Sequence, residues 1–65
     1  MRASEVKENI GRPVVCEYNG FSYAGTLVAY TYRLKDNKIF HQAEISDRNH
    51  NSVVVVPLKN TEVED

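Results

Sequence analysis

Sixty-five residues allow one domain with one modest core, a size at which buried apolar area barely offsets chain entropy. Eight basic against nine acidic residues give a net charge of −1, which speaks against a broad nucleic-acid footprint while leaving room for a local patch. The single cysteine, Cys16, excludes an internal disulfide and a paired-thiol zinc site, and His41 and His50 have no partner at ligand spacing.

No metal and no cofactor is therefore expected, and self-association remains, by elimination, the favoured source of extra buried surface. A lone thiol in an apolar strand pattern suits a reducing compartment, where it acts as a small hydrophobe. No stretch approaches the roughly 20 apolar residues of a membrane span. The start MRASEVKENIGR is charged and helix-like rather than a signal peptide. A soluble, cytoplasmic protein with no membrane partner is the expectation.

In chain order, residues 1–12 read as a short helix and its approach to the first strand. Ser4 is a candidate cap, Val6 and Ile10 share one helical face, and Gly11-Arg12-Pro13 ends the helix. Two turns are not stable alone, so the helix must pack on something. Residues 13–60 read as the body of a small barrel. Val14 to Tyr18 is a first strand with Val14, Cys16 and Tyr18 on one face, and Asn19-Gly20 is a strong hairpin signal. The second strand, Phe21 to about Leu34, is long for so small a chain, and Gly25 inside it marks a bend or bulge.

Lys35-Asp36-Asn37 is the next turn, Lys38 to Asp47 a third strand, and Arg48-Asn49-His50-Asn51 a polar turn. Val53 to Val56 is a continuous apolar run of the kind that is covered on both faces, and Pro57 limits it. Leu58 to Val63 suggests a short closing strand, and residues 61–65, with Glu62, Glu64 and Asp65, an acidic tail. The fold class expected is mainly β: a short N-terminal helix followed by a strongly bent, four- to five-stranded antiparallel barrel.

The run Val14 to Gly20, followed by Phe21-Ser22-Tyr23-Ala24-Gly25-Thr26-Leu27-Val28-Ala29-Tyr30, resembles the first motif of the Sm-like or Hfq-like small β-barrel superfamily. In that motif a turn glycine is followed by a bend glycine, a small residue, a leucine and an aromatic. Gly20, Gly25, Thr26, Leu27 and Tyr30 hold those places, so Gly20 and Gly25 are read as structural residues. The chain departs from the family at Thr31, where an aspartate is usual, and at Lys35, where an RNA-contacting asparagine is usual. The second motif is replaced by Val56-Pro57-Leu58-Lys59-Asn60. The resemblance thus implies the fold and weakly a ring-forming habit, but not uridine-type recognition.

Candidate contact residues follow from composition. Phe21, Tyr23, Tyr30 and Tyr32 lie on the long strand, where aromatics serve either as a stacking platform for bases or as core. Phe21 and Tyr32, near the strand ends, are the better candidates for contact. Arg33, Lys35 and Lys38 flank the turn beside Tyr32, and cations interleaved with an aromatic suit phosphate contact plus stacking. The alternative is a solvated turn whose charges protect a sheet edge. His41 falls on the face of Ile39 and Ala43, as a packed and hydrogen-bonded histidine would.

No nucleophile setting, glycine-rich phosphate loop or carboxylate pair stands out, so catalysis is not expected. A self-associating Sm-like module that binds RNA or single-stranded nucleic acid through Tyr32, Arg33, Lys35, Lys38 and Phe21 ranks first. Close behind stands a protein-binding adaptor or inhibitor of the small phage or mobile-element kind, working through a strand edge. An oligomer holding a small nucleotide-like ligand between subunits is the third reading.

Overall fold

A computed structural model describes residues 1–49 and 51–64; His50 and Asp65 lie outside the described residues. A 3₁₀ turn, Ala3–Glu5, leads into a single helical turn, α1 (Val6–Asn9). Strands β1 (Pro13–Tyr18), β2 (Phe21–Lys35), β3 (Lys38–Asp47) and β4 (Ser52–Pro57) follow. A second 3₁₀ turn, Leu58–Asn60, then delivers the chain to β5 (Thr61–Val63). All pairings are antiparallel, in the order β4-β3-β2-β1-β5.

The two helical turns together span Ala3 to Asn9, ending one residue short of the expected Ile10. Ser4 lies inside the 3₁₀ turn and does not cap it; the backbone N–H of Arg2, one place before the turn, donates to Glu5 Oε1 at 2.8 Å. That bond, foremost, holds the Glu5 carboxyl below its ordinary range. Ile10 already has extended backbone, so Val6 alone of the expected pair is buried, while Ile10 stays 45% exposed. Gly11, at φ 90°, turns the chain so that its N–H donates to Leu27 O at 2.8 Å, and Leu27 N–H returns a bond to Arg12 O at 3.0 Å.

One long strand serves two partners. The first part of β2, Phe21–Thr26, pairs with β1, and the stretch from Gly25 onward pairs with β3, so only Gly25 and Thr26 are flanked on both sides. A Cβ at Gly25 would overlap the carbonyl oxygen of Ser46, so only glycine lets the backbones approach this closely where the sheet bends. Just beyond, Val28 is an extra residue: Leu27 faces Ile45 and Ala29 faces Glu44, with Val28 bulged between them.

The first two hairpins are closed by two residues of positive φ, Asn19 (53°) with Gly20 (78°) and Asp36 (52°) with Asn37 (62°), the geometry that matches strand twist. Lys35 therefore ends β2 rather than joining the turn. In the connection after β3, Asp47 Oδ1 accepts the Asn49 N–H at 2.8 Å, and Asn51 takes φ 50°.

The core gathers Val6, Val14, Cys16, Leu27, Ala43, Ile45, Val56 and Leu58, with Tyr23, Tyr30, Val54 and Val63 against it. Cys16 is core filling, and burial pushes its thiol up. The sheet curls enough to bring β4 near β1 across the concave side, but hydrogen bonding does not close it into a barrel. Pro57 ends β4, the 3₁₀ turn carries the chain across, and β5 pairs with β1 instead, leaving β4 and β5 as edges. The valine run of β4 is consequently covered on one face only. Val56 is buried and Val54 half-buried, but Val53 and Val55 are 55% and 54% exposed, because among the described residues no second layer lies outside the sheet.

The expected acidic tail is in part structural. Thr61 is fully buried, with its hydroxyl donating to Pro57 O at 3.1 Å. Glu64 N–H donates to Pro13 O at 2.9 Å, and its carboxylate pairs with Arg48 at 2.9 Å. Among the described residues no helix is long and apolar enough to cross a membrane.

Candidate nucleic-acid interface

Beyond the end of β4, the β2–β3 hairpin continues as a two-stranded arm. β4 reaches only from Gln42 to Asp47 along β3, and β1 only to Thr26 along β2, so the ribbon from Thr31 to His41 pairs with itself alone. Directly opposed residues share a face, and successive residues alternate. Counting outward from the Asp36–Asn37 turn, Lys35 faces Lys38, Arg33 faces Phe40 and Thr31 faces Gln42. These six side chains form the outer face. Leu34 faces Ile39, Tyr32 faces His41 and Tyr30 faces Ala43, which form the inner face, continuous with the core.

This register sorts the expected contact residues. Arg33, Lys35 and Lys38 come together on the outer face as expected, all exposed. Tyr32, although adjacent to Arg33 in sequence and 66% exposed, points to the opposite side of the ribbon. Phe21 is also 66% exposed, but it faces Tyr18 at the far end of β2, in the other hairpin, and shares no surface with the cations. Gly20 and Gly25 sit at the turn and the bend.

The aromatic that does accompany the cations is Phe40, 48% exposed and directly across from Arg33. Sequence reasoning passed over it because Phe40 is seven residues from Arg33. The signal that identifies it is the two-residue turn, which fixes every pairing in the arm.

Electrostatically, the outer face carries three cations against the one carboxylate of the turn, Asp36. The ion pairs among the described residues are Arg2 with Glu5 at 3.6 Å and Arg48 with Glu64 at 2.9 Å, so none of the arm's three cations is engaged. Toward the base, the Thr31 hydroxyl donates to Gln42 Oε1 at 3.4 Å, and Glu44 is the first acidic residue met on that face. On the inner face, Tyr30 and His41 stack with ring centroids 5.7 Å apart and share a hydrogen bond between the Tyr30 hydroxyl and Nδ1 of His41. His41 is thus the hydrogen-bonded histidine that alternation suggested, although exposed. Along the β3 side of the arm a hollow of about 290 Å³ lies between Ile39, Phe40 and His41 and the body residues Met1, Ala3, Pro57, Leu58 and Lys59.

Among the described residues no three His, Cys, Asp or Glu side chains gather as metal ligands would. What the outer face offers chemically is three cations for phosphate oxygens and one flat ring for a base. The chain matches no known family model, no curated protein and no solved structure.

Proposed function

We propose that this chain is a non-enzymatic, self-associating binding module of the Sm-like kind, and that the outer face of its β2–β3 arm holds RNA or single-stranded nucleic acid. The observation that carries the reading is the grouping of Arg33, Lys35 and Lys38, none of them in an ion pair, around the exposed ring of Phe40 on one side of a projecting ribbon. Cations would hold the backbone without regard to sequence while the ring takes a base. Support for the Sm-like part comes from the short helix ahead of a bent sheet, with Gly20 at the turn and Gly25 at the bend where the resemblance requires them. A net charge near zero does not oppose it, because three cations are concentrated toward the tip of the arm.

Titration of a labelled single-stranded oligonucleotide across a salt series tests this reading. Wild-type affinity should fall steeply with salt, and the triple variant Arg33→Gln, Lys35→Gln, Lys38→Gln should lower the logarithmic slope by about 2, as three lost phosphate contacts predict. Phe40→Ala should cost about 1–3 kcal/mol of binding, whereas Phe21→Ala, at the other end of β2, should cost little. Absent or salt-insensitive binding, or a triple variant that binds like wild type, would overturn the proposal.

A second reading is favoured by the open sheet. Among the described residues the outer edge of β4 carries no partner strand, and Val53 and Val55 stand exposed beside it. An extended segment of another protein would add there as a further strand, which is the adaptor mode.

A further inference from the structure

The two faces of the arm are chemically opposite. Along the inner face, a row that begins fully buried at Leu27, Ala43 and Ile45 passes through half-buried Tyr30 and ends at Tyr32, Leu34 and Ile39, which are 66%, 68% and 56% exposed. The residue types stay those of a core, but the cover is gone. We propose that this inner face is a dimerisation surface for a second copy of the chain, two arms meeting across a two-fold axis with their basic faces turned outward. The inference rests on the self-association part of the reading above and is independent of nucleic-acid binding.

Three observations select a second copy as the occupant. First, no Lys, Arg, Asp or Glu lies on the inner face of the arm, whereas all three of the arm's cations lie on the outer face. Inner faces therefore meet without like-charge opposition, while outer faces repel, and this difference sets the orientation. An acidic partner would choose the other side.

Second, the face is self-complementary in kind, an aliphatic pair at the tip (Leu34 with Ile39) and a ring pair in the middle (Tyr32 with His41). Antiparallel arms related by a two-fold axis place the tip of one over the base of the other.

Third, the flank of the arm offers a seat. The hollow of about 290 Å³ between Ile39, Phe40 and His41 and the body residues Met1, Pro57 and Leu58, with Lys59 as its one basic side chain, extends the contact beyond the ribbon toward the roughly 800 Å² per partner that a stable dimer buries. A chain of this size with eight buried apolar residues gains the cover that its own core cannot supply.

Sedimentation equilibrium of the full chain tests the proposal. Wild type should dimerise, and Leu34→Lys or Ile39→Lys should weaken association by at least about tenfold, because a lysine would be buried unpaired at the contact. Both positions lie off the core, and circular dichroism checks that each variant is folded. Lys35→Gln, on the outer face, should dimerise as wild type does.

Tyr32 lies mid-arm, close to the proposed axis. In Tyr32→Cys a short bismaleimide should link two copies, since the only native thiol, Cys16, is buried. A wild-type chain that stays monomeric at millimolar concentration would overturn both this inference and the self-association it rests on. Association that survives both lysine variants, or that leaves Tyr32→Cys unlinked, would overturn this inference alone, and would point to the β4 edge as the contact between copies.

Discussion

Gly20 and Gly25 are constrained for different reasons. At Gly20 the constraint is torsional: φ is 78°, but a Cβ would meet nothing within 4 Å. At Gly25 it is steric, because a Cβ would collide with backbone, the Ser46 carbonyl, which has no rotamer by which to yield. Gly20→Ala should therefore cost about 1–2 kcal/mol, the penalty for a side chain in the left-handed region. Gly25→Ala should cost more, upward of about 3 kcal/mol, or prevent folding, since two paired strands must separate. Urea denaturation of the two variants checks the order, and equal midpoints would refute it. Both glycines were legible in the sequence because backbone geometry limits the residue type. Phe40 and Tyr32 were not sorted correctly, since the face on which a side chain emerges depends on register, and adjacency in sequence had placed Tyr32 with Arg33.

At the scale of elements, the strands were legible because β-rich runs lay between turn dipeptides, and β3 spans the residues that alternation marked out. The short N-terminal helix was legible to within a residue: its two turns, the first 3₁₀ and the second α, end at Asn9, just before Gly11 draws the chain onto Leu27. The valine run, by contrast, misled. Continuity signals burial on both faces only where a second layer exists, and the number of layers is not written in one strand.

The arm's own turn offers a test of opposite sign to Gly25. Asp36 and Asn37 both hold positive φ, which glycine adopts without penalty, so Asn37→Gly should stabilise the protein by a few tenths to about 1 kcal/mol while keeping Arg33 across from Phe40. A lowered denaturation midpoint would contradict this account of the turn.

For the whole molecule, closure was the feature that sequence could not supply. Whether a curved sheet meets itself depends on accumulated twist and on where the last strand is delivered, and Pro57 with the following 3₁₀ turn sends β5 to β1. The result is a chain whose bent frame was expected but whose edges and inner arm face are left for association. If the arms dimerise as proposed, stability is coupled to mass action. The melting temperature should rise with protein concentration for wild type and stay flat for Leu34→Lys; a concentration-independent wild type would count against association through the arm.

The bulge at Val28 gives this frame a property of its own. Cross-strand pairs run without a gap on either side of it, from Leu27 with Ile45 to Ala29 with Glu44, so Val28 has no opposite number. Every partnership in the arm is thus specified by counting from its tip, while the direction in which the arm is aimed is adjusted by one supernumerary residue at its root. Chemistry and aim are encoded separately: deleting Val28 should re-point the arm relative to the body without altering which side chains travel together.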